Sequence, residues 1–149
     1  MMFTTKVNEP YHSVKSSFVS RDKDLINYLT PPMCELIHYK GLRRGAILRY
    51  LIFDKLTTFK VVTYSTKDNE LYYHDILKEG RPLGIKFWSH RHKIKDIGKK
   101  SLIQDEIIFS TSNTKMDFIL KPLVAGYFLL RKIKYKIFFF TKAFNWRIK

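Results

Sequence analysis

The sequence predicts an α+β fold: a curved antiparallel sheet of seven strands wrapped around a long C-terminal helix, with two short helices after the first strand. Three observations predict it. Six strand-like runs between Cys34 and Ser110 are separated by short turn signals, the pattern of an antiparallel meander. Two short helical segments precede them, and everything from about Asn113 onward reads as one helix. With 149 residues, 45% of them hydrophobic, the chain is long enough to bury roughly 70% of its unfolded surface in one core and too short for two ordinary domains. Residues 1–149 are therefore expected to form a single domain.

Taken in order, "FTTKVN" (Phe3–Asn8) alternates as a short strand. Pro10 opens a segment in which Val14 and Phe18 sit one helical turn apart. A second short helix is expected from Asp22 to Leu29, stopped by Thr30-Pro31-Pro32. The strand runs that follow are "CELIHY" before Lys40-Gly41, "AILRYLIF" before Asp54-Lys55, and "FKVVTYST" before Lys67-Asp68-Asn69. Then come "LYYHDIL" before Glu79-Gly80, "IKFWSHRHKI" before Asp96-Ile97-Gly98, and "SLIQDEIIFS" ending at Ser110.

In the last segment Asn113 or Thr114 can cap the helix, with Asp117 in its first turn offsetting the positive end of the dipole. Ile119, Leu123, Gly126, Leu130, Ile133, Ile137, Phe140 and Phe144 recur on one face, and this face is expected to meet the sheet. Gly126 would let it lie close. Pro122 falls inside the pattern, so either the helix bends there or its regular part begins near it. This order of elements is that of the helix-grip fold. Between its sheet and its last helix such a fold leaves a cavity, lined by alternate strand residues and one helix stripe, where an apolar ligand can bind.

The candidate site lies in "KFWSHRHKIKD" (Lys86–Asp96). Period-two alternation puts Trp88, His90, His92 and Ile94 on the cavity face and Ser89, Arg91, Lys93 and Lys95 in water, with Phe87 as an exception on the wet side. In the next strand Ile103, Asp105, Ile107 and Phe109 form the more apolar face. Folding that hairpin brings Asp105 opposite His90 or His92, and folding the preceding one brings Asp75 near Trp88 or His90. Tyr73 on the preceding strand and Leu123 and Tyr127 on the helix complete the expected ligand-binding set.

Buried imidazoles and carboxylates must satisfy one another, so this cluster reads first as a hydrogen-bonded belt that orients side chains. Recognition of a polar ligand headgroup ranks second and catalysis third. No catalytic residue is assigned. No metal is expected, because two histidines and one aspartate show no supporting second shell. No cofactor is expected either: phosphate loops, dinucleotide fingerprints and Ser or Cys nucleophile patterns are all missing from the sequence.

Cys34 is the single cysteine, which excludes an internal disulfide and a Cys-based zinc site. The N-terminal stretch lacks a signal-peptide core and no segment approaches 18 uncharged apolar residues, so a cytoplasmic protein is expected. Its formal net charge is +15, a field that attracts anionic partners, although a Lys- and Ile-rich composition can produce such a charge by itself. The distribution is uneven, since no acidic residue follows Asp117. Arg131, Lys132, Lys134, Lys136 and Lys142, with Phe139, Phe144 and Trp146 among them, are expected to meet an anionic membrane or other anionic partner, making the protein peripheral to the membrane. In the plainer reading the aromatics cover the open end of the sheet and the lysines are solvated.

Four stretches carry a resemblance to a family: "LTPPMCELIHYKGLRRGAIL" (Leu29–Leu48), "YYHDILKEGRPLGIKFWSHRHKI" (Tyr72–Ile94), "LIQDEIIFST" (Leu102–Thr111) and "FILKPLVAGYFLLR" (Phe118–Arg131). The chain resembles bacterial members of the SRPBCC superfamily, the START-like and polyketide-cyclase-like ligand-binding domains. Trp-x-His-x-His after a Gly- and Pro-containing hairpin is the most specific piece. Gly80-Arg81-Pro82-Leu83-Gly84 departs from the Gly-Pro-Phe or Leu-Pro-Phe run common in relatives. The resemblance implies binding or carriage of a hydrophobic or amphipathic small molecule, lipid- or isoprenoid-like. It leaves open a cyclase or dehydratase acting on a polyketide-like substrate, and, as a partner ranked below the small molecule, RNA or the ribosome.

Overall fold

Alternating apolar residues build seven strands, and the computed structural model, which describes residues 1–147, places them in the expected order. These are β1 (Met2–Val7), α1 (Tyr11–Val19), α2 (Asp24–Leu29), β2 (Cys34–His38), β3 (Ile47–Ile52), β4 (Lys55–Thr66), β5 (Glu70–Glu79), β6 (Ile85–Asp96), β7 (Ser101–Thr111) and α3 (Thr114–Arg147). The sheet is antiparallel throughout, in the order β1-β7-β6-β5-β4-β3-β2. The α1–α2 pair carries the chain from one edge strand to the other. The meander then returns to β1, where Phe3 stands opposite Asp105.

One turn differs from its expected place. Ile52 pairs with Lys55, so Phe53 and Asp54 are the turn residues, one position earlier than Asp54-Lys55, and β4 begins four residues before "FKVVTYST". Both have positive φ, 46° and 60°, as a two-residue hairpin turn requires for its twist to match the strands. At the other end, Asn113 is the cap: its Oδ1 accepts from the Lys115 amide at 2.9 Å. The regular part of α3 starts before Pro122 and continues beyond it.

α1 turns Tyr11, Val14 and Phe18 inward, and α3 packs against β1, β7 and α2. Here the expected helix face is wrong. Ile119, Leu123, Leu130, Ile133, Ile137, Phe140 and Phe144 point outward, each at least 45% exposed. Inward go Leu120, Phe128, Arg131, Tyr135 and Phe139, each less than 10% exposed. The helix is apolar nearly all round and so offers two candidate faces. The aromatic one wins because its rings fill more of the interior, each fully buried side chain contributing about 1.5–3 kcal/mol.

The same contacts relocate several basic residues. Arg131 lies inside, Lys134 Nζ donates to the carbonyls of Tyr28 (2.9 Å) and Thr30 (3.4 Å), and Lys142 Nζ donates to Ser17 Oγ (2.7 Å). With Tyr127 OH donating to Leu29 O at 2.9 Å, they fasten α3 to the α1–α2 pair. Phe139, expected at a membrane, is a core residue at 1% exposure. Trp146 has a side chain outside the described residues.

Before β6 the backbone turns at Gly80, with φ +79°; a Cβ there would stand 2.4 Å from Leu56 O. Gly98 also has positive φ, +86°, but open space around it. Gly80→Ala should therefore lower unfolding stability by about 2–4 kcal/mol and Gly98→Ala by only about 1–2 kcal/mol. Equal urea midpoint shifts for the two variants would contradict this packing.

Candidate functional site

The strand registers decide which polar groups meet. His92 stands opposite Asp105 on β7, and His90 opposite Asp75 on β5. His90 Nδ1 lies 3.2 Å from Asp75 Oδ2 and its Nε2 lies 2.8 Å from Asp105 Oδ1. Carboxylates accept only, so a histidine held at both nitrogens donates from both and is an imidazolium. His92 Nδ1 donates to the same Asp105 Oδ1 at 2.7 Å. Of the alternatives left by the sequence, Asp75 meets His90, and Asp105 meets both histidines. Each of the four is less than 10% exposed.

A fifth member stands where the sequence alone suggested a residue facing an anionic partner. Arg131 reaches in from α3, its Nη2 3.9 Å from Asp105 Oδ1 and its Nε donating to Tyr135 OH at 2.7 Å. Its guanidinium also lies 5.4 Å from the Phe128 ring centre and 5.3 Å from that of Tyr135, within cation–π range. Two formal cations, His90 and Arg131, thus face two carboxylates in a water-poor site. The signal was present as an arginine at i+4 from Tyr127 and i−4 from Tyr135.

Burial pulls the two histidines the same way, and their partners separate them. For His90, desolvation lowers the pKa, but the Asp75 charge and hydrogen bonds to both carboxylates raise it to about 9. For His92, desolvation outweighs Asp105 and the pKa falls below its ordinary value, so the ring is neutral. Burial pushes the Asp105 carboxyl up, yet Arg131, His92 and the two histidine hydrogen bonds hold it well below the usual carboxylate range.

With its proton on Nδ1, neutral His92 presents a bare Nε2 lone pair. That atom is buried with no hydrogen-bond partner among the described residues. Phe18 and Tyr73 lie over the ring, centroids 4.6 and 4.8 Å away. A bare imidazole nitrogen whose other nitrogen is held by a carboxylate can accept a proton or a hydrogen bond from a bound molecule. His90, His92 and Asp105 could also converge on an ion, their ligand atoms lying within 4.8 Å of one another. The donor set fits a cation poorly: the 2.7–2.8 Å N–O separations are hydrogen-bond distances, and Arg131 already places positive charge at Asp105.

Among the other expected ligand residues, Tyr73, Ile94, Ile103 and Ile107 are buried, while Trp88, Phe109 and Tyr127 are half-buried. Leu123 is on the outer face of α3, 63% exposed, and does not line the interior. Trp88 begins an aromatic wall wider than the set expected from the sequence: Phe109, Phe59 and Phe128 lie 6.1, 6.4 and 6.4 Å from it, centre to centre, and Tyr50 meets Phe59 at 5.9 Å. Phe128 fills the space beside the cluster, stacked on Phe3 at 5.5 Å and 5.6 Å from His90. Two surface depressions lie elsewhere. One, of about 890 Å³, runs between α1, α2 and the end of α3 past Ser17, Leu25, Tyr28 and Phe138; the other, of about 360 Å³, sits on the outer sheet face around Tyr72, His74 and Arg91.

No family model matches the chain, and no curated protein matches it in sequence. Solved structures share its fold. A nucleoside-diphosphate sugar epimerase from Corynebacterium glutamicum matches with a TM-score of 0.69 at 15% identity, over 90% of this chain and 28% of that one. Norcoclaurine synthase from Thalictrum flavum, in complex with dopamine and hydroxybenzaldehyde, matches at 0.62 and 15% identity, covering 91% of this chain and 84% of its own. Major latex-like protein 151 from Panax ginseng matches at 0.56 and 16%, covering 91% and 94%. At such identities the likeness is one of architecture alone, the helix-grip arrangement of a curved sheet and a long last helix.

The charge assignments have a pH signature. His90 has a folded pKa above its unfolded value, so its contribution is complete below about pH 6.5 and is lost as pH rises through about 9. Asp105 is depressed, so its contribution is present above the ordinary carboxylate range and is lost as pH falls through its lowered value. Urea denaturation should show stability declining from pH 6.5 toward pH 9 and above, by about 3 kcal/mol in total from His90. In His90→Asn that alkaline decline should flatten on a lower baseline. An unchanged slope in the variant would show that His90 is not the charged member.

Proposed function

We propose that the protein binds a hydrophobic or amphipathic small molecule between sheet and helix, with the aromatic wall around Trp88 holding its apolar body and the His90–Asp105–His92–Arg131 cluster meeting its polar group. One observation carries the reading. A core needing only stability would do as well with apolar residues of similar volume, because burying ions costs several kcal/mol each before their attraction is recovered. This interior instead keeps two carboxylates, an imidazolium and a guanidinium together, and leaves one basic nitrogen, His92 Nε2, without a partner. A ligand hydroxyl or amide would satisfy it.

The norcoclaurine synthase structure with dopamine and hydroxybenzaldehyde supports the ligand class: the same architecture there takes small molecules with one apolar ring and polar substituents. Phe128, 1% exposed, occupies the space beside the cluster, so admission of a ligand requires its ring to turn aside or α3 to shift. Trp88, Phe59 and Phe109 are only half-buried, and entry past them is the short route. A lipid- or isoprenoid-like ligand suits the extent of this wall.

A second reading, proton transfer, rests on the His92–Asp105 pair. A neutral imidazole with Nδ1–H held by a carboxylate and Nε2 free is the arrangement a general base uses. His92 would take a proton from an acidic carbon or hydroxyl of a polyketide-like carbonyl compound, while the His90 and Arg131 charges would stabilise the resulting anion.

Native mass spectrometry of purified protein followed by organic extraction tests the binding reading, and Trp88 reports it in solution. In a Trp146→Phe background, Trp88 emission should shift when fatty acids, isoprenoid alcohols or small phenols bind. Asp105→Asn should weaken binding about tenfold or more, a charge-assisted contact being worth roughly 1.5–3 kcal/mol. No co-purifying small molecule and no Trp88 response to any of these probes would overturn the proposal, and RNA in the extract would favour the second-ranked partner. His92→Ala that keeps binding but abolishes turnover would favour proton transfer.

A further inference from the structure

The outer face of α3 takes no part in the interior. Leu123, Leu130, Ile133, Ile137, Phe140 and Phe144 recur along it at steps of three, four and seven, and each is at least 45% exposed. A continuous apolar stripe of this length marks an interaction surface. Its occupant is decided by charge. Lys136, exposed, stands one turn from both Ile133 and Phe140 of the stripe, and Lys132, half-exposed, one turn before Lys136, whereas Lys134 and Lys142 are spent on Tyr28, Thr30 and Ser17. No acidic residue follows Asp117, and the net charge is +15.

A second copy would meet the stripe with the same lysines and no carboxylate to pair them across the seam, and would bring its own charge of +15. Gly126, which has open space where a Cβ would stand, leaves a hole in one layer of such a seam. A lipid surface has neither difficulty. The apolar side chains can enter the acyl boundary while lysines extend along the helix edge to phosphate groups. α3 is not long and apolar enough to cross a membrane, which leaves an in-plane position. We propose that the outer face of α3 docks on an anionic lipid bilayer, with Ile133, Ile137, Phe140 and Phe144 inserted at the interface and Lys136, with Lys132 one turn before it, reaching the headgroups.

This surface is separate from the interior ligand site, and the two proposals fail separately. Co-sedimentation with phosphatidylcholine vesicles, with and without phosphatidylglycerol, tests it at about 0.1 M salt, where the Debye length is about 10 Å. Each lysine near an anionic surface is worth about fivefold, so the anionic vesicles should bind at least about tenfold more tightly, and Lys132→Ala/Lys136→Ala should remove most of that preference. Ile133→Ser/Phe140→Ser should weaken binding at low and high salt alike. Because both positions are exposed, its circular dichroism melt should match wild type. Lys134→Ala should bind vesicles nearly as wild type does. Negligible binding to both vesicle types, or Lys134→Ala losing as much as Lys132→Ala/Lys136→Ala, would overturn the proposal. A dimer by light scattering that Ile133→Ser/Phe140→Ser dissociates, without vesicle binding, would give the face to a second copy instead.

Discussion

One oxygen organises the interior. Asp105 Oδ1 accepts from His90 Nε2 and His92 Nδ1 and faces Arg131 Nη2 at 3.9 Å, so a single carboxylate joins β6, β7 and α3, and through His90 reaches Asp75 on β5. A buried carboxylate left alone costs more than most core contacts return. The sheet register and the rotation of α3 about its axis must therefore both deliver donors to this point. A one-residue slip of β6 against β7 would turn His90 and His92 to the outer face and leave Asp105 unpaired.

The same requirement sets what α3 does on its two sides. Arg131 has to face Asp105, which turns Phe128, Tyr135 and Phe139 inward with it at helical spacing. The aliphatic stripe that includes Leu130 and Ile137 is then outward by geometry, since no helix rotation buries both faces against one sheet. A core that satisfies its charge thus creates an exposed apolar surface. Interior chemistry and surface stickiness are in this sense two consequences of one helix orientation. Lys134 and Lys142 hold that orientation from the far side by bonding to α1 and α2.

The neighbouring histidines illustrate how position divides chemistry. Both are buried on the same face of β6, two residues apart, yet His90 lies between two carboxylates and carries charge, whereas His92 shares its one carboxylate with two other groups and stays neutral under Phe18 and Tyr73. A pair of titratable groups driven in opposite directions is what acid–base or headgroup recognition uses. Here it is produced by hydrogen-bond count, with little difference in burial.

The element order, the antiparallel meander and the inward face of β6 were legible in the sequence because strand alternation has a period of two and turn residues punctuate it. Trp88-x-His90-x-His92-x-Ile94 admits only one division into faces once Arg91, Lys93 and Lys95 are assigned to water. The pairings of Asp75 and Asp105 were legible to within two residues, the limit set by turn geometry. The face of α3 was not, because its sequence carries two apolar rhythms and local periodicity ranks the mainly aliphatic one, which runs the whole length of the helix, higher. Choosing between them needs Asp105, 26 positions before Arg131, and a contact of that separation exists only after the sheet has formed. By itself, then, the sequence determined which residues alternate and where the chain turns; the tertiary structure alone decided which helix face is buried, because a buried charge is admissible only where its partner already stands.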